Sequence, residues 1–96
     1  MNRHARFTFR LYIAGDGPNS IQAVANLRAL CLELLPNRYE IEVVDVIREP
    51  QRALDDGVLL TPTLVKLLPA PVRRVVGNLN QREPLLHALG LPALAQ

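Results

Sequence analysis

Phe7-Thr8-Phe9-Arg10-Leu11-Tyr12-Ile13-Ala14-Gly15-Asp16-Gly17-Pro18 contains the transition that decides the fold. Phe7, Phe9, Leu11 and Ile13 alternate with Thr8, Arg10 and Tyr12, the two-residue period of a strand with one strongly apolar face. Gly15 and Gly17 free the backbone for a tight turn, and Pro18 suits a first helical turn, where its missing amide would be unpaired anyway. Asn19 with Gln22 three residues on is a second cap signal, so the helix begins within a residue or two of Pro18. Beyond it Val24, Leu27, Cys31 and Leu34 recur at three- and four-residue spacing, with Ala23 and Leu30 widening the stripe. This is an amphipathic helix that closes near Pro36.

Working outward, Tyr39 to Ile47 is rich in β-branched residues and turns apolar on both faces through Val44, Val46 and Ile47, which predicts a strand in the sheet interior. Glu49-Pro50 opens a short helix over Gln51 to Asp56 that Gly57 ends, with Asp55 and Asp56 read as a solvated helix end. Thr61-Pro62-Thr63 leads into a strand, Leu64 to Leu68, and the Pro69-Ala70-Pro71 turn returns the chain as a second strand, Val72 to Val76. Asn80-Gln81-Arg82-Glu83 has the form of a capping box. Leu85, Leu86 and Leu89 then fall at helical spacing, Gly90 supplies a left-handed stop, and Pro84 is tolerated only in the first turn. The order β-α-β-α-β-β-α makes the first two strands parallel and the last two antiparallel. The expected fold is thioredoxin-like α/β, a four-stranded mixed sheet with helices on both faces.

At 96 residues the chain has room for one domain, residues 1–96, with 1–6 and 92–96 expected as flexible ends. Eleven basic residues, of which only Lys66 is lysine, are nearly balanced by nine acids, and there are four aromatics. That profile argues against nucleic acid, which needs concentrated positive charge and stacking rings. No stretch is long and apolar enough to span a membrane, and the N-terminus lacks the apolar core of a signal peptide, so a cytoplasmic location is expected.

A thioredoxin-like redox enzyme would carry Cys-x-x-Cys at the turn into the first helix, where the helix dipole activates a thiol. Here that turn reads Asp16-Gly17-Pro18-Asn19, and the one cysteine, Cys31, sits on the apolar stripe as core filler. Gly15-x-Gly17-x-x-Ser20 lacks the third glycine of a dinucleotide fingerprint, and Asp45 as a ribose acid would need a longer chain. His4 and His87 are not accompanied by metal-ligand spacing, so neither metal nor other cofactor is expected. Arg73 and Arg74, adjacent on a strand, must point to opposite faces, which places one against a helix layer or a carboxylate and leaves the other for a partner.

Leu11 to Ser20, Val44-Asp45-Val46, Pro50-Gln51, Leu60-Thr61-Pro62-Thr63-Leu64 with Lys66, and above all Leu68-Pro69-Ala70-Pro71-Val72-Arg73-Arg74-Val75-Val76-Gly77-Asn78-Leu79 resemble the KaiB family of circadian clock proteins, from about Phe7 to Leu91. The resemblance implies a non-enzymatic adaptor that binds the N-terminal ATPase ring of a KaiC-like protein, with a KaiA-like protein or a histidine kinase as further partners. It implies partner contacts at Gly15, Asp16, Pro18, Asn19, Lys66, Arg73 and Arg74, a cis bond before Pro62, and a monomer or small homo-oligomer. It also implies an alternative ground-state fold, β-α-β-β-α-α-β, in which the C-terminal half is rebuilt. This chain departs from the cyanobacterial pattern in that region: Ala88 and Gly90 replace Gly and Asp, and Pro84 is added. Ala favours helix over Gly by about 0.8–1 kcal/mol, so Pro84, Ala88 and Gly90 are expected to hold the thioredoxin-like form. Gln22 and Gly57 stand where that pattern has Arg and Lys. A thioredoxin-like redox protein and a kinase sensor module are the competing readings.

Overall fold

The computed structural model describes residues 6–91. Seven elements follow in the expected order: β1 (Phe7–Ile13), α1 (Pro18–Leu34), β2 (Tyr39–Asp45), α2 (Pro50–Asp55), β3 (Thr63–Leu68), β4 (Arg73–Val76) and α3 (Arg82–Leu89). They form one four-stranded sheet in the order β2-β1-β3-β4, with β1 parallel to β2 and antiparallel to β3, and β3 antiparallel to β4. The thioredoxin-like expectation holds. Of the ends expected to be flexible, residues 1–5 and 92–96 lie outside the described residues, while Arg6 pairs with Glu40 at 3.5 Å.

The alternation in β1 sorts its side chains between two cores. Phe7, Phe9 and Leu11 enter the larger one, with Ala23, Leu27, Leu30 and Cys31 from α1, Leu64 from β3, and Leu85, Leu86 and Leu89 from α3. Tyr12 points the other way and is fully buried with Val44, Ala53, Val58 and Val65 beneath α2. Both faces of β1 are therefore covered, which is why a strand with a polar-looking second face lies at the sheet centre.

β2 departs from expectation: it is an edge strand, not an interior one, and it ends at Asp45. The cause is local. Asp45 Oδ1 accepts from the amides of Ile47 at 2.9 Å and Gly15 at 3.1 Å, so the chain turns there and the apolar run beyond it leaves the sheet. Ile47 is consequently 69% exposed. The capping box of α3 also fails to form. Gln81 is the N-cap with no side-chain cap bond, and the Asn80 amide instead donates to Asn78 Oδ1 at 3.3 Å. Pro84 does fall within the first turn, and Gly90 ends the helix at φ 73°, with the Leu91 amide donating back to Leu86 O at 2.9 Å.

Candidate partner-binding site

The residues implied as contacts fall into two groups. The first is the β1–α1 turn. Gly15 takes φ +68°, and a Cβ there would meet Ile47 Cδ1 at 3.4 Å, so a side chain at this position is strained and crowded. Asp45 ties this turn to the β2–α2 turn, and Ser20 Oγ bridges back to the amide of Ala14 at 3.3 Å and its carbonyl at 3.4 Å. Pro18 opens α1, and Asp16 and Asn19 are exposed. Asn19 belongs to a clamp that sequence reasoning missed. Asn78 Nδ2 donates to Gln22 Oε1 at 2.9 Å and to Asn19 Oδ1 at 3.5 Å, while Asn26 Nδ2 donates to Asn78 O at 2.8 Å. The recurrence of amide side chains at 19, 22 and 26 on one helix face was the available signal.

The second group lies on β3 and β4. Register pairs Val65 with Arg74 and Lys66 with Arg73. Arg74 crosses the α2 face and donates to the carbonyls of Asp56 and, at 3.4 Å, Gly57, where cationic charge suits a helix C-terminus. It thus meets backbone rather than a carboxylate. Arg73 has no hydrogen-bond or ion-pair partner among the described residues and is exposed. Lys66 stands apart from the two arginines: only 4% exposed, it lies beneath α3, its Nζ 3.9 Å from where a Cβ at Gly90 would stand, and so it supports the end of that helix. Burial, and then the charge of Arg73, lower its pKa. The Thr61–Pro62 bond is cis, and Pro62 O accepts from the Gly77 amide at 2.9 Å. Pro84, Ala88 and Gly90 all lie in or at the end of α3.

Asp56 is also corrected from a solvated helix end to the centre of a network. The hydroxyl of Tyr12 donates to its carboxylate, and Arg10 reaches it at 3.0 Å while also binding Glu42 at 2.9 Å. Arg52 completes the network at 2.6 Å from Glu42. Arg52 and then Arg10 hold the Glu42 carboxyl down at about 2, against an ordinary value of about 4.3. A folded-state value below the unfolded one gives stability that is fully present above pH 4.3 or so and is lost as pH falls through 2 or so. Glu42 is 46% exposed and water screens it, so the effect is about 1 kcal/mol or less. Urea midpoints measured between pH 5 and pH 2 should fall with acid, and Arg52→Ala should flatten that slope; an unchanged slope would remove Glu42 as its source.

Burial pushes the Cys31 thiol up to about 12, and it faces the core of α1 rather than the turn. Among the described residues no group of His, Cys, Asp and Glu is arranged to hold a metal, and no helix is long and apolar enough to cross a membrane.

Residues 10–91 match the family model of the KaiB domain. The chain belongs to the KaiB family. It is 41% identical over 86 residues to the circadian clock protein KaiB3 of Synechocystis, covering 90% of this chain and 84% of the relative. It is 43% identical over 91 residues to the circadian clock oscillator protein KaiB of Prochlorococcus marinus, covering 95% and 85%. Among solved structures, the N-terminal domain of Synechococcus elongatus SasA superposes with a TM-score of 0.73 at 20% identity, over 90% of this chain and 85% of that one. Fasciola hepatica thioredoxin gives 0.67 at 21% identity, over 91% and 86%. At these identities the structural likenesses show the fold, and membership of the KaiB family rests on the sequence.

Proposed function

We propose that this chain is a non-enzymatic, cytoplasmic adaptor that docks on the N-terminal ATPase ring of a KaiC-like ATPase and modulates its phosphorylation cycle or signalling output. The match to the KaiB domain over residues 10–91 carries the reading. The charge of Arg73, unpartnered among the described residues, and the exposed turn at Asp16 to Asn19, which Asp45 anchors at Gly15, supply its contacts. A buried thiol supports binding over redox catalysis. In a pull-down or optical binding assay with the cognate ATPase, Arg73→Glu should weaken binding on the order of tenfold or more, and Arg74→Glu should do so as well. Unchanged affinity for both reversals would exclude β4 from the interface. A KaiA-like protein and a histidine kinase with a sensor domain of the same fold are proposed as further partners, the kinase competing for the same ring.

Docking is proposed to use the thioredoxin-like form as the resting state. Residues 84–89 are helical, Gly90 ends that helix in a left-handed conformation, and Lys66 lies against its end. Backbone chemical shifts in solution should report helix over 82–89. Strand shifts there, in a tetramer, would overturn the proposal.

A further inference from the structure

β4 forms the second edge of the sheet, with β3 as its neighbour on one side only. Which of its backbone groups stay open follows from one bond. Gly77 N donates to Pro62 O, so these two form a hydrogen-bonded pair of the antiparallel ladder. Such pairs alternate with non-bonded ones along the strands. With Thr63 opposite Val76, Leu64 opposite Val75, Val65 opposite Arg74 and Lys66 opposite Arg73, the residues that bond inward are Val75 and Arg73. Arg74 and Val76 turn both N–H and C=O to the outside. An edge of this kind is a template for another strand.

The side chains indicate which strand fits. Val75 packs against the larger core, so Arg73 and Val75 lie on the α1–α3 face, while Arg74 and Val76 lie on the α2 face. Val76 is 57% exposed, and Val72, just before the strand, is 56% exposed. Among the described residues the edge therefore offers an unpaired cation on one face and, on the other, exposed aliphatic surface beside Arg74, whose guanidinium is held by carbonyls at the end of α2. A segment with carboxylates and β-branched residues in alternation complements both. A second copy fits poorly. Pairing β4 with β4 would gather the Arg73 and Arg74 of both copies at one seam, and the other edge, β2, has its Glu40 and Glu42 already compensated by Arg6, Arg10 and Arg52.

We propose that the outer edge of β4 receives an acidic extended segment of a partner protein as a fifth strand. This goes beyond the docking proposed above by naming the mode of contact, and it does not depend on the partner being an ATPase. The test is an NMR titration of the full chain with acetyl-Glu-Val-Glu-Val-Glu-Val-amide and, as control, the same peptide with Lys for Glu. The largest shifts, and slowed hydrogen exchange, should fall on the amides of Arg74 and Val76, and the Lys peptide should bind about tenfold more weakly or worse. Val76→Pro removes an outward amide and leaves the bonds to β3 intact, so it should weaken the acidic peptide by about tenfold or more. Arg73→Glu, which leaves the backbone unchanged, should invert the preference between the two peptides. Absence of shifts at millimolar peptide, equal affinity for both peptides, or indifference to both variants would overturn the proposal. So would shifts at the same amides on raising the protein concentration alone, which would assign the edge to a second copy.

Discussion

Leu89→Ala should lower the stability of the domain by about 2–5 kcal/mol, whereas Leu32→Ala should change it by about 0.5 kcal/mol or less. Leu89 is fully buried and Leu32 is 68% exposed, although both are leucines on helices. The stake is larger at α3 than the contact alone suggests. A helix of eight residues is too short to persist in water by itself, isolated helices being marginal below about 12–15 residues. It is held by Leu85, Leu86 and Leu89 against the core of β1, β3 and α1. A domain of this length has about 5–14 kcal/mol in total, so one truncation removes a large share of it. Thermal unfolding should show a fall of about 10–30 °C for Leu89→Ala and a near-superimposable curve for Leu32→Ala. Equal, small shifts in both variants would mean that α3 is not packed as described.

The elements that were legible in the sequence are those whose side chains report a single environment. β1 and α1 announce themselves by period, because one face of each meets the same core throughout, and Gly90 by the left-handed turn that only its missing side chain makes easy. β2 was misread because Val46 and Ile47 continue its β-branched run after Asp45 has turned the chain, and side-chain type does not encode an aspartate's choice of backbone partners. The capping box failed for a related reason: the local pattern at Asn80 and Glu83 was outcompeted by Asn78, which joins the loop to α1. In the candidate site, Arg73 and Arg74 were correctly set on opposite faces. Which of them stays free depends on where α2 ends, and that is a tertiary fact. Lys66 enters as a contact only through the family resemblance, and its place beneath α3 is visible only once the sheet is ordered.

Asp56→Ala and Tyr12→Phe should prove strongly non-additive in a double-mutant cycle. Tyr12 is fully buried, and its hydroxyl donates to the Asp56 carboxylate, with Arg52 O the other acceptor at a long 3.5 Å. Removing the carboxylate leaves a buried hydroxyl with only that poor partner, at a cost of about 1–3 kcal/mol. Removing the hydroxyl instead costs about 0.5–1.5 kcal/mol, since no buried polar group is left behind in its place. Once the hydroxyl is gone, losing Asp56 sacrifices mainly its partly exposed pair with Arg10, worth about 0–1 kcal/mol, and Arg10 keeps Glu42. The cycle should therefore give a coupling of about 0.5–3 kcal/mol by urea denaturation, and additivity within about 0.3–0.5 kcal/mol would mean that the two groups act independently. The same variant separates folding from docking. Asp56→Ala removes a side chain but keeps the backbone carbonyl that Arg74 binds, so the cationic face of β4 is preserved while α2 is loosened from the sheet. Binding to the proposed ATPase ring should then survive Asp56→Ala at temperatures well below its unfolding transition and fail in Arg73→Glu. Loss of binding in Asp56→Ala with binding retained in Arg73→Glu, both still folded, would move the contact surface from β4 onto α2.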